Sequence, residues 1–474
     1  MKWPARLIAA MAALTALGVA APVASRPADS AQGWSSSADA SRKLTPMAAM
    51  PRSARQPAPG EAVISVDPRR RFQSMVGFGA AMTDASALLL MDALDTQART
   101  RLLRELFGRD GLAISFLRVP IGASDFSPVH YSLDDLPPGT RDDALAHFSM
   151  AGAAAAQIPM LRAAKGVNPG LSLMASPWSA PGWMKTSDSL IKGRLRPDAY
   201  PAFAQYFSRY LAEMARRGLP VGWISVQNEP HFEPADYPGM RMDPGERAAF
   251  IGGHLGPLLA RRGQRAAILD WDHNWDQPES PLAVLGDPRA ARYISGVAWH
   301  CYAGDVGAME RGRAAFPAKD VFFTECSGGN WAPDWGGTLG WMSSNLVIAA
   351  SRAGSRGTLL WNLALDENHG PHKGGCGDCR GVVTIDRVSG TVTRNVEYYV
   401  LAHASRFVRP GARRIASSES ADIANVAFRN PDGTLVLIAH NRGKAAARFA
   451  VRSGAKLFTV ALPAGEVATF TWRE

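Results

Sequence analysis

The chain has 474 residues, of which 46% are apolar, 20% charged and 8% aromatic. That globular balance excludes a disordered, collagenous or coiled-coil protein, and a core of this size needs no scaffold of disulfides, which four cysteines could not supply. The formal net charge of +10 permits contact with anionic surfaces without pointing to nucleic acid.

Residues 1–25 read as an export signal. Lys2 and Arg6 precede an apolar, Ala-rich run from Leu7 to Ala21, short for a membrane span, and small residues lead to a cleavage point near Ala24 or Ser25. Residues 26–60 are rich in Ser, Ala, Pro and Arg without a period, which predicts a flexible linker. The mature protein is therefore expected outside the cytoplasm, periplasmic or extracellular, with no membrane span.

From residue 74 short β-type runs alternate with longer helical stretches. The runs are SMVGFGAAMT (74–83), LAISFLRVPIG (112–122), LSLMASPW (171–178), GWISVQNEP (222–230), AAILDWDHNW (266–275), ISGVAWHCYA (294–303), DVFFTECSG (320–328) and GTLLWNLAL (357–365). Helices are expected over 201–217, closed by Gly218, and over 244–262, with Asp243 as N-cap and Pro244 at the first helical position. Strands separated by helices pair in parallel, and eight such units imply an α/β fold, a (β/α)8 barrel over 74–409. A doubly wound open sheet is the alternative, but no glycine-rich phosphate fingerprint follows the first strand. After residue 410 the pattern is all-β. One hairpin is expected around Asp432-Gly433, and a second around Pro463 to Gly465.

Barrel chemistry lies where strands end. Collected there are Asp84, Arg118, Trp178, Asn228, Glu229, Asp272, His273, His300, Tyr302, Glu325 and Trp361. Aromatic faces stack on the apolar face of a pyranose, and carboxylates and amides bond its hydroxyls. Glu229 and Glu325 are the candidate catalytic pair, since glycoside hydrolysis needs two carboxyl groups flanking the scissile bond. Asn228 is placed to bond the sugar 2-hydroxyl. Arg118 is expected inside the barrel, bonding Glu325 to keep it ionised or serving as a structural ion-pair member. Trp271 and Trp275 read equally as core or sugar platform. Other acids compete, among them Asp125, Asp236 and Asp272, and spacing does not choose between them.

Read together, GFGAAMTDASALLL (77–90), LRVPIGASDFS (117–127), ASPWSAPGWMKT (175–186), QNEP (227–230), FTE (323–325), WNLAL (361–365) and GVVTID (381–386) resemble glycoside hydrolase family 30, in its glucosylceramidase-like branch. The resemblance implies a barrel with a small side β-sandwich, built from residues 410–474 and an N-terminal strand within 61–73 carrying AVISVDP. It implies Glu229 as general acid/base and Glu325 as nucleophile of a retaining mechanism, with carboxyl groups ~5–5.5 Å apart. It places Asp84, Trp178, Asn228 and Trp361 around the sugar, His300 and Tyr302 as the polar wall near the nucleophile, and Tyr237 on the leaving-group side. No cofactor is implied. The substrate expected from the branch is a β-glycoside such as glucosylceramide. An endo-acting β-1,6-glucanase is the alternative within the family, and a non-catalytic carbohydrate-binding barrel the alternative outside it. A barrel metalloenzyme using His273 and His300 is the least favoured reading.

The cysteines allow several readings. Cys376 and Cys379 form CxxC in an exported chain, so a local disulfide is expected. His369, His372, Cys376 and Cys379 also have ligand types suited to structural zinc, and free thiols are the third option. Cys301 and Cys326 each follow an inward-facing residue, so they are expected to face the helices as buried free thiols.

Overall fold

The computed structural model describes residues 29–474. The expected export signal lies outside the described residues. Eight parallel strands close into a barrel: Gly77–Ala81, Phe116–Ile121, Ser172–Pro177, Trp223–Ser225, Ala267–Asn274, Ile294–His300, Asp320–Glu325 and Ser355–Asn362. Each falls within, or overlaps, one of the eight runs read from the sequence. Burial on both faces explains why those runs are continuously apolar.

The helix Tyr200–Arg216 buries Phe203, Tyr206, Phe207, Tyr210 and Leu211 against the barrel. It stops at Gly218, whose φ of +76° suits glycine. Helix Pro244–Phe250 begins behind Asp243, whose N–H donates to the Glu246 carboxylate at 2.6 Å, and the helical path continues to Arg261.

A second sheet system flanks the barrel. Its strand order runs from Ser30–Ser36 through Val467–Trp472, Leu435–Asn441, Ile423–Arg429, Arg413–Ser417, Ala62–Ser74 and Ala447–Ser453 to Lys456–Leu462. Its own core holds Ile64, Ile415, Leu437, Phe449, Phe458, Phe470 and Trp472. The Asp432-Gly433 hairpin forms, with Gly433 at φ +84°.

Two expectations need correction here. Residues 29–60 are not a flexible linker. Ser30–Ser36 pairs antiparallel with Val467–Trp472, Thr45–Pro46 and Met50–Pro51 pair with Ser30–Ser36, and Ala31, Ser35 and Ser36 are buried. The low complexity of the segment hid the alternating burial of this strand. The second C-terminal hairpin is not one either. Lys456–Leu462 pairs with Ala447–Ser453, whereas Val467–Trp472 pairs with Leu435–Asn441. The Asn441 amide donates to the Leu462 and Pro463 carbonyls, holding the crossing between the two sheet ends.

Candidate active site

An apolar layer of Phe116, Met174, Leu269, Ala298, Phe322 and Leu359, with Trp223 against it, fills the lower barrel. Side chains alternate along a strand, so the next inward positions are Arg118, Ser176, Ser225, His300, Thr324 and Trp361, all buried. The fifth strand breaks the rule. Two residues on from Leu269 comes Trp271, but Trp271 and Asp272 both take left-handed φ, +78° and +54°. Pairing with the sixth strand skips a residue there: Ala298 faces Trp271, and Trp299 faces His273. This bulge sends Trp271 out to the core and brings Asp272 inward. Trp275 also belongs to that core, so neither tryptophan is a sugar platform.

Asp272 accepts hydrogen bonds from Arg118 Nη2 (2.7 Å), Ser176 (2.8 Å), Ser225 (2.5 Å), Thr324 (2.7 Å) and His300 Nε2 (3.1 Å). Burial pushes its carboxyl up, but Arg118 and His300 outweigh that and hold it well below the usual range. Arg118 is fully buried. Its Nη1 bonds Glu325 Oε2, its Nη2 also donates to Asn228 Oδ1 at 2.7 Å, and its guanidinium lies 4.8 Å from the Trp178 ring centre. Trp178 and Trp361 stack with centroids 4.9 Å apart.

Glu229 leaves its strand with φ +46°, a left-handed conformation unusual for glutamate; its N–H donates to the Asp272 carbonyl at 3.0 Å. Its Oε1 faces His300 Nδ1 at 3.1 Å and His273 Nδ1 at 3.5 Å. Glu325 has both oxygens engaged: Oε2 by Arg118 and Oε1 by the Tyr302 hydroxyl at 2.9 Å. His300 Nδ1 lies 3.9 Å from Glu325 Oε1, so one imidazole nitrogen touches both carboxyls. Burial lowers His300, yet Glu325, Asp272 and Glu229 together push it up to about 9, an imidazolium at neutral pH. Burial and the charge of Glu325 push the Tyr302 hydroxyl well above its ordinary value, which keeps it a donor. Burial pushes Glu325 up against the pull of His300 and Arg118, while the nearby His273 and the hydrogen-bonded His300 hold Glu229 down against burial. These groups share their protons, so their roles follow from which oxygen is free. Glu229 Oε2 has no partner among the described residues; Glu325 has no free oxygen.

Both glutamates line a cavity of about 560 Å³ with Asp125, Trp178, Asn228, Tyr237, His273, Tyr302 and Trp361, and with Phe232 and Trp331 at its rim. Asp84 is not there. Its carboxylate bonds Ser127 at 2.6 Å and Tyr131 at 3.1 Å, in a neighbouring cavity, and burial pushes it up to about 6. Asp84 opens the helix Asp84–Leu88, which turns it away from the barrel mouth. His300 lies beneath the wall rather than on it, supporting Glu229 from below.

Asp125 occupies the cavity instead, from the loop after the second strand. Its Oδ1 is buried and unpartnered beside the cavity, and burial with the charges of Glu325 and Glu229 pushes its carboxyl well up. Gly375 packs against it so closely that a Cβ would lie 2.5 Å from Asp125 Cβ. The signal for Asp125 was present in the ASDFS run, but Asp84 stood in a longer motif.

The cysteines are paired. Cys376–Cys379 is a disulfide on the cavity rim, as expected, and with its sulfurs joined the zinc reading of that loop fails. His369 Nδ1 bonds the Cys379 carbonyl, and His372 Nδ1 the Gly374 carbonyl. Cys301 and Cys326 are not free thiols but a second disulfide. His300 and Glu325 are directly opposed across adjacent strands, so the next residues stand opposite with Cα atoms 5.5 Å apart, within disulfide reach. Glu229, His273 and His300 place one ligand atom each within 4.8 Å of one another. His300 already serves Asp272 and Glu229, and the carboxyl of the trio is the candidate proton donor.

Comparison with known proteins follows the same architecture. Residues 75–408 match the model of the glycosyl hydrolase family 30 TIM-barrel domain, and residues 411–470 that of its beta sandwich domain. The chain is 34% identical over 466 residues to the endo-1,6-beta-D-glucanase BGN16.3 of Trichoderma harzianum, covering 92% of each chain. It is 31% identical over 411 residues to the lysosomal acid glucosylceramidase of Mus musculus, covering 80% of this chain and 77% of that one. A solved endo-beta1,6-glucanase structure superposes with a TM-score of 0.87 at 29% identity, over 94% of this chain and all of the other. The protein is a glycoside hydrolase and belongs to glycosyl hydrolase family 30, barrel and sandwich together.

Proposed function

We propose that the protein is a retaining β-glycosidase whose substrate is a β-1,6-linked glucan cut within the chain. The observation that carries the mechanism is the unequal bonding of the two glutamates. Glu325, its charge matched by Arg118 and Tyr302, attacks the anomeric carbon. Glu229 gives a proton from its free Oε2 to the leaving oxygen, then takes one from water as the glycosyl–Glu325 ester is hydrolysed. Once Glu325 is esterified its charge is gone, which favours the ionised form of Glu229 needed for the second step. Trp178 and Trp361 supply apolar faces for the bound ring. The Asn228 amide, its oxygen held by Arg118, presents its nitrogen to the 2-hydroxyl, and the unpartnered Asp125 carboxyl hydrogen-bonds another hydroxyl.

Two features favour the glucan over glucosylceramide. The β-1,6-glucanase relative matches along 92% of each chain, against 80% and 77% for the glucosylceramidase. The rim of the cavity carries exposed Phe232 and Trp331, platforms suited to sugars beyond the one being cleaved. The two disulfides fit an oxidising compartment outside the cytoplasm, and no helix among the described residues is long and apolar enough to cross a membrane.

The test is digestion of β-1,6-glucan, glucosylceramide and an aryl β-glucoside, with products resolved by size. Short β-1,6-oligosaccharides appearing early support internal cleavage. Glucose alone, or turnover confined to glucosylceramide, removes the endo-glucanase reading and leaves the two-glutamate chemistry in place.

A further inference from the structure

Beside the catalytic cavity lies a groove of about 380 Å³. Its floor is the Cys301–Cys326 disulfide with Ser327 and Gly328, and its walls are Tyr302, Trp331, Thr338 and Trp341. Tyr302 and Trp331 line both the groove and the catalytic cavity, so the two are continuous. The loop after Glu229, which brings Phe232 and Tyr237 to the cavity, takes no part in the groove. The groove therefore leaves the site on the nucleophile side.

Exposed aromatic side chains are concentrated here. Among the described residues Phe232, Tyr302, Trp331 and Trp341 are the large aromatics standing exposed, at 44–52%, and every one lines the cavity or this groove. Exposed aromatics gathered at one place mark a binding surface. Between them the groove is lined by small residues, including Gly328, Ala332, Gly337 and Thr338; Met342 is its one long flexible apolar side chain. Flat aromatic faces separated by small and polar groups suit pyranose rings. An alkyl chain would be better served by branched aliphatic side chains.

We infer that this groove is a further sugar-binding site, in which Trp341 stacks on a pyranose of the same β-glucan chain whose neighbouring bond is cut between Glu229 and Glu325. This rests on the proposed glycan substrate and deepens it.

The experiment compares wild type, Trp341→Ala and Trp341→Tyr on β-1,6-linked gluco-oligosaccharides of increasing length and on an aryl β-glucoside. Wild-type kcat/KM is expected to rise with length. In Trp341→Ala the rise stops earlier, leaving the longest chain about tenfold poorer through KM, the loss of roughly one stacking contact. The aryl glucoside is turned over as before, and Trp341→Tyr recovers most of the loss. Equal effects on long and short substrates, or none on either, overturn the groove. A loss confined to glucosylceramide makes it a lipid groove and overturns the pyranose assignment. If wild type cuts no β-1,6-linked chain, the substrate proposal fails; the same variants on the β-glycan it does cut then decide the groove.

Discussion

Arg118 and Asp272 form an ion pair at 2.7 Å with both side chains wholly buried, one layer below Glu229 and Glu325. The pair fixes what lies above it. Arg118 reaches up to Glu325 and Asn228, and Asp272 reaches His300, which in turn holds Glu229. Removing one partner would leave a buried charge with only part of its compensation, Arg118 with Glu325 or Asp272 with His300. Asp272→Ala is expected to cost about 3–5 kcal/mol of stability and most of the turnover. Urea denaturation and kcat check it. Unchanged stability would mean that the pair contributes nothing net.

The glutamates should separate by leaving group. Glu325→Gln is expected to lose activity on every substrate. Glu229→Gln should lose about 10²–10⁴-fold on alkyl glycosides and much less on an aryl glycoside whose phenolate departs unaided. Proton NMR of the first-formed product should show the β-anomer. An α-anomer would overturn the retaining mechanism.

His300 sets the alkaline behaviour. Its imidazolium is stabilised by Glu229, Asp272 and Glu325, and its folded value of about 9 lies above the ordinary 6.5. A raised value means that the stabilisation is complete below about pH 6.5 and is lost as the pH rises through about 9. His403 behaves oppositely. Burial pushes it down to about 3, so its neutral form stabilises the fold above pH 6.5, and that contribution is lost as acid approaches 3. Melting temperature against pH, in wild type, His300→Gln and His403→Gln, reads both. His300→Gln should flatten the alkaline limb only.

The disulfides are expected to hold in the mature protein. Alkylation under denaturing, non-reducing conditions should label no cysteine. The Cys301→Ser/Cys326→Ser pair, opening a bond that spans 25 residues, should cost about 3 kcal/mol. Ready labelling before reduction would contradict both bonds.

On the proposed mechanism, in which Glu229 handles the proton and no metal takes part, excess chelator should leave turnover unchanged. Loss of activity, restored by a divalent ion, would reassign Glu229, His273 and His300 as a metal site.

The eight-strand barrel and the meeting of Glu229 and Glu325 in one cavity at its mouth were legible in the sequence because buried parallel strands read as apolar runs that end in polar residues. Asp272 was not. Alternation from Leu269 predicts Trp271 inward, and only the bulge, two left-handed residues with no glycine to announce them, reverses the face. Asp84 and Asp125 both follow barrel strands. The choice between them depends on which one a helix start carries out of the bowl, a matter of direction that spacing does not encode. The Cys301–Cys326 bond follows from a strand register that sequence does not print. Residues 30–36 alternate in burial, but the residues that carry the alternation are small or polar, so no hydrophobic period announces it.

That pairing has a consequence for the order of assembly. Ser30–Ser36 takes its hydrogen bonds from Val467–Trp472, and Arg42 bonds Glu466 at 3.0 Å across 424 positions. A chain emerging from the ribosome completes all eight barrel strands more than a hundred residues before Glu466 exists. Until then its early strand has only the short segments Thr45–Pro46 and Met50–Pro51 beside it, and its other edge is open to the wrong partner. The barrel is therefore expected to form first and the sandwich to close around it last, like a clasp fastened by the final turn of thread.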